Sequence, residues 1–190
     1  MSSNGRDTSS ESVRLLVLSD LHLEFGALKL PSPQIYDIAL LAGDIWNGTK
    51  AVRWASDAST FAGKPVVLVP GNHEFYGGER QDTLERMRKY AAGSNVHLLD
   101  RNEVVLNGVR ILGATLWTDF ALDVDHGTPV DIAMGRAEHG LNDFAGRIRE
   151  RRSAGSRSTQ SSGSSAVSRP PNFTPQDAAR EHALSRAWLQ

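Results

Sequence analysis

The chain contains no cysteine in its 190 residues. That absence excludes disulfides, thiolate zinc sites and cysteine nucleophiles. Any metal must therefore be held by His, Asp, Glu, Asn or backbone oxygen. Neither charge is in excess: 21 Lys+Arg stand against 22 Asp+Glu, a formal net charge of −1. A dedicated nucleic-acid binder would carry a basic surplus, so no specific nucleic-acid partner is expected. No apolar run is long enough for a transmembrane segment. Met1 to Glu11 is polar and lacks the apolar stretch of a signal peptide. The expectation is a cytoplasmic protein with a disordered tail over residues 1–12 and no membrane partner. With 39% hydrophobic residues, the remainder suffices for one globular core.

Short apolar runs at residues 13–18, 38–42 and 66–69 read as strands buried on both faces. Between the second and third, residues 49–62 read as a helix with Thr49 as its cap. Residues 79–92 form a polar, strongly helix-forming stretch that stops at Gly93. From residue 96 the pattern changes to short strands at 96–99, 103–106 and 110–114, read as antiparallel. Asn107-Gly108 between the last two is a strong hairpin signal.

Met134, Ala137, Leu141, Phe144 and Ile148 recur at steps of 3 and 4, which predicts an amphipathic helix over 131–150, weakened by Gly140. Residues 153–169 hold eight serines in 17 positions and no aromatic residue. Such a segment buries too little to offset its ordering entropy, so 153–171 is expected to be a flexible insertion. Thr174 and Pro175 open a final helix as cap and first residue, and Trp188 is expected to anchor it in the core.

Three polar clusters follow the three buried runs: Asp20-Leu21-His22, Gly43-Asp44 and Gly71-Asn72-His73-Glu74. Within them Asp20, Asp44, His22, His73 and Asn72 supply two carboxylates, two imidazoles and an amide oxygen, the O and N donors that divalent cations take. Each cluster alone reads as turn or cap chemistry more readily than as a ligand set. In series, each at the carboxyl end of a strand, they point to one site.

Ser19-Asp20-Leu21-His22, Gly43-Asp44-Ile45 and Gly71-Asn72-His73-Glu74 resemble the first three motifs of the calcineurin-like metallophosphoesterase family. The segments 113–120 and 141–144 look like those of a bacterial branch of it. The resemblance implies an α/β fold, a two-sheet sandwich flanked by helices, around a dinuclear metal site. By motif, Asp20 and His22 would bind the first metal, Asp44 would bridge both, and Asn72 would bind the second. His73 would stand near the scissile group as an acid or a phosphate-binding donor. The implied cofactors are two divalent ions of the Mn, Fe or Zn class. The implied reaction is hydrolysis of a small phosphate mono- or diester by metal-activated water.

The later histidine motifs of that family are absent. The four other histidines, His97, His126, His139 and His182, sit in contexts that read as surface or packing positions. Asp119 and Asp143 read as caps. The second metal site is thus expected to be weak, and the strands that complete the sandwich to be missing from a truncated domain over 13–190. An uncompleted sheet would expose an edge and an apolar face and invite self-association. The alternative function is a non-catalytic remnant binding one metal weakly or none. A structural domain whose clusters are mere turns is the third reading.

Overall fold

A computed structural model describes residues 12–122, 127–151 and 169–190. The expected N-terminal tail, apart from Ser12, His126 and residues 153–168 of the serine-rich insertion lie outside the described residues. Four strands form one parallel sheet in the order β1-β2-β3-β5: β1 Leu15–Leu18, β2 Ile38–Ala42, β3 Val66–Val69 and β5 Val96–Leu98. Helices α1 Lys50–Ser56, α2 Ala58–Phe61 and α3 Arg80–Ala91 make the connections. The fold is α/β, a parallel sheet with helices.

Alternation along the strands sets the layers. Ala39, Leu41, Val66 and Leu68 pack with Val52, Ala55, Phe61 and Met87 from the helices. Ile38, Leu40, Val67 and Val69 point the other way, onto Val104, Leu106 and Ile111. Those three belong to the antiparallel hairpin of β6 Asn102–Leu106 and β7 Val109–Gly113, which turns at Asn107 and Gly108 as the sequence predicts. Both turn residues have positive φ, 50° and 77°, the requirement that Asn-Gly meets at low cost.

Several expectations need correction. Strand β1 is not buried on both faces: it is an edge strand, and Leu15 and Val17, on the same face as Ile38 and Leu40, are 43% and 60% exposed and outside the hairpin core. Strand β5 is parallel, not antiparallel, because α3 carries the chain back across the sheet to pair Val66 with Val96. The 49–62 helix breaks at Asp57, whose extended backbone ends α1 and whose carboxylate caps α2 by accepting from the Ser59 N–H. Thr49 makes no side-chain cap.

The 131–150 helix is also broken. Helix α4 runs Val130–Gly140, then a π-type turn spans Asp143–Arg147 and β8 follows at Ile148–Arg149, pairing with β4 Gly78–Glu79. Gly146 sits at φ 85°, which no helix accommodates. The apolar spacing still works, because Ala137, Phe144 and Ile148 all reach one core.

That second core lies beneath the third cluster. Phe75, Trp117, Phe144 and Phe173 stack there, with Trp117 and Phe173 centroids 4.6 Å apart. The last helix, α5 Pro175–Leu189, joins it through Ala178. Thr174 and Asp177 form a capping box with Pro175 at the first turn. Trp188 is half-buried and belongs to neither core, so it is not the anchor. A buried ion network docks α5 instead. Arg80 donates to Glu150 at 2.8 and 3.1 Å and to Glu181 at 2.7 Å, and Arg101 reaches Glu181 at 2.8 Å. Among the described residues no helix is long and apolar enough to cross a membrane.

Candidate metal centre

Parallel pairing puts the three clusters at one end of the sheet. Leu18 is opposite Leu41, and Ala42 opposite Val69, so the loops that follow leave the sheet side by side. The first loop continues the pairing beyond the strands: Asp20, His22 and Leu23 donate N–H bonds of 3.0 Å to the carbonyls of Gly43, Asp44 and Ile45. Asp20, His22 and Asp44 all have positive φ, between 45° and 55°. Such backbone is unfavourable for these residues and persists because the surrounding bonds hold it.

Ligand atoms of Asp20, His22 and Asp44 lie within 4.8 Å of one another. Asp44 is fixed further, since its Oδ1 accepts from the His73 N–H at 3.0 Å. Asp20 is gripped by the Ser19 hydroxyl. Asp20, Asp44 and Asn72 line an open cavity of about 450 Å³, together with Asp143, Trp117 and Phe144.

Glu74 holds the three loops together. It is fully buried, and its carboxylate accepts from the N–H groups of Asp44, Ile45, Trp46 and Gly71 at 2.7–3.2 Å. Burial pushes its carboxyl above the usual range, against hydrogen bonds from Ile45, Gly71 and Trp46 that favour the charged form.

His73 lies beside the first cluster. Its ring meets that of His22 edge-on at 4.4 Å and stacks on Tyr76 at 4.3 Å. Glu24, which the sequence reading missed, joins the pair: one of its oxygens lies 3.2 Å from His73 Nδ1 and 3.4 Å from His22 Nδ1. Burial raises the Glu24 carboxyl, but hydrogen bonds from its own backbone, His73 and His22 outweigh it and hold it low. Its second oxygen is buried with no partner. His22, Glu24 and His73 form a second set with donor atoms within 4.8 Å.

The donor set fits divalent cations. Three carboxylates and an amide line one cavity, and phosphate would be repelled there without positive charge. Two imidazoles and the unpartnered Glu24 oxygen stand alongside. The remaining described histidines are elsewhere. His139 faces Gly135 O on α4, His182 contacts Trp117 O and Asp119, and His97 is in β5. Asp119 caps as expected, accepting from the Ala121 N–H at 3.0 Å. Asp143 does not: its Oδ1 faces Asn72 and Tyr76.

The fold resembles that of a solved phosphopantetheinyl hydrolase from Mycobacterium tuberculosis, with a TM-score of 0.57 at 20% identity. The likeness covers 93% of this chain and 62% of that one. No curated protein matches the chain. The model of the calcineurin-like phosphoesterase family matches residues 13–152, which include all three clusters. The chain belongs to the calcineurin-like phosphoesterase family.

Proposed function

We propose that this chain is a metal-dependent phosphoesterase that hydrolyses small phosphate mono- or diesters. The supporting observation is the convergence of Asp20, His22 and Asp44 within 4.8 Å at the carboxyl ends of adjacent parallel strands. Asp20 and His22 would hold one divalent ion, Asp44 both, and Asn72 the second. When bound, the ions supply positive charge for the phosphoryl oxygens and lower the pKa of water. Mn, Fe and Zn all suit these donors.

The chain's own groups do the rest. Water adds to phosphorus and the ester P–O bond to the leaving group breaks. The leaving oxygen takes a proton from His73, whose Nδ1 lies 3.2 Å from Glu24, and the proton that the attacking water gives up is returned to His73 through solvent. The cavity walls from Trp117 and Phe144 offer apolar contact to the ester's organic part. Because the mycobacterial protein of similar fold is a phosphopantetheinyl hydrolase, a phosphopantetheinyl ester belongs in the assay panel.

Within this proposal the β6–β7 hairpin is the start of the sandwich's second sheet. Beside it, Leu15 and Val17 offer an apolar edge to a second copy of the chain. A second reading, the non-catalytic remnant, draws on one observation: His97, His139 and His182 do not join the cluster, leaving the second ion with few donors. Titration with Mn²⁺ or Zn²⁺ alongside bis-p-nitrophenyl phosphate separates the two. Two bound equivalents with turnover support the esterase; one weak equivalent without turnover supports the remnant.

A further inference from the structure

Resting on that phosphoesterase reading, we propose that Asp143 is a positioning residue that turns the Asn72 amide so its carbonyl oxygen, not its NH2, is presented to a cation. The two side chains are 71 positions apart, and Asn72 Nδ2 donates to Asp143 Oδ1 at 2.8 Å. The choice between the two amide orientations follows from chemistry. An ionised carboxylate only accepts, so the Asn72 atom facing it is the NH2. The amide is planar, so its oxygen faces away from the Asp143 oxygen that holds the NH2, within the one cavity that Asn72, Asp20, Asp44 and Asp143 line.

Tyr76 reinforces the arrangement. Its hydroxyl donates to the same Asp143 oxygen at 2.6 Å and lies 3.4 Å from Asn72 Nδ2. Asp143 is itself held in place. It starts the turn after α4, and the next residue, Phe144, is buried with its ring stacked on Phe173 at 6.0 Å. The carboxylate thus reaches Asn72 from a separately anchored segment. Without it, the amide could rotate and point two N–H dipoles at the cation position, which repels positive charge.

The test uses the metal-free full chain first. The Asn72 side-chain amide signals, assigned by their loss in Asn72→Ala, are read in the wild type, Asp143→Ala, Asp143→Asn and Tyr76→Phe. The wild type is expected to show one Asn72 amide proton shifted downfield and protected from exchange. Asp143→Ala should return it to the position of a solvent-exposed amide. Asp143→Asn, which keeps an acceptor and nearly the same shape, should retain most of the protection. A wild-type signal like that of an exposed amide, or one unchanged in Asp143→Ala, overturns the proposal. Mn²⁺ titration follows. Asp143→Ala should weaken one binding event about 10–100-fold and spare the other; equal loss in both, or none, counts against it. A wild type that takes up no ion sinks the phosphoesterase reading alone, and the amide signals still decide the role of Asp143.

Discussion

A β-carbon built on Gly71 would stand 2.1 Å from Oδ1 of Asp44 and 2.6 Å from the Asp44 backbone nitrogen. The glycine is required there by close approach: the loops after β2 and β3 touch, and the Asp44 carboxylate occupies the space a side chain would take. Gly71→Ala must displace that carboxylate. The expected result is a loss of about 10-fold or more in divalent-ion affinity, read by titration. Gly135→Ala is the control, because nothing lies within 4 Å of its β-carbon in α4. It should leave ion affinity unchanged and raise stability by about 0.5–1 kcal/mol.

Glu74→Gln tests how the loops are held. The amide keeps one acceptor oxygen but turns an NH2 toward backbone donors that four bonds now satisfy. Urea unfolding should show a loss of about 3 kcal/mol. A loss below about 0.5 kcal/mol, the range of ordinary surface changes, would contradict the account.

The three clusters and the first three strands were legible because each signal is local: an apolar run, then ligand-type residues. The hairpin and the α5 cap were legible for the same reason, through Asn107-Gly108 and Thr174-Pro175. The failures lie where a local pattern has two solutions. Spacing of 3 and 4 fits a helix, yet Gly146 lets Phe144 and Ile148 reach the same core from a turn and a strand. Glu24 carries no signal in sequence, since its role depends on a turn in which the Phe25 N–H bonds to the His22 carbonyl. Asp143 looks like a cap until the fold brings Asn72 to it.

The Arg80 network predicts a different kind of sensitivity. Arg80, Glu150 and Glu181 are 5%, 1% and 3% exposed. Removing Arg80 leaves buried Glu150 and Glu181 with only the more exposed Arg180 and Arg101 as cationic partners, so Arg80→Ala should cost about 3 kcal/mol in denaturant unfolding. A change below about 1 kcal/mol would show that α5 is docked by its apolar contacts alone.

Acid should weaken the junction between β1 and β2 in a defined window. Side-chain and backbone hydrogen bonds from Arg14 hold the Asp37 carboxyl down to about 2, from an ordinary 3.8. A depressed carboxylate stabilises the fold above its unfolded value and loses that contribution as pH falls through the folded one. The stability gap between wild type and Asp37→Asn should therefore close between about pH 4 and pH 2. The pair is exposed, so the gap is small. A gap that widens with acidification would reverse the sign and refute the assignment.

The central claim is that side chains from three separate loops gather divalent cations around Asp44 to cleave a phosphoester. Asp44→Asn keeps the shape and removes the charge. Its turnover of bis-p-nitrophenyl phosphate, measured with Mn²⁺ beside the wild type, is the most direct test. The account predicts turnover in the wild type that vanishes in the variant together with its ion uptake. Equal turnover in the two proteins would contradict it.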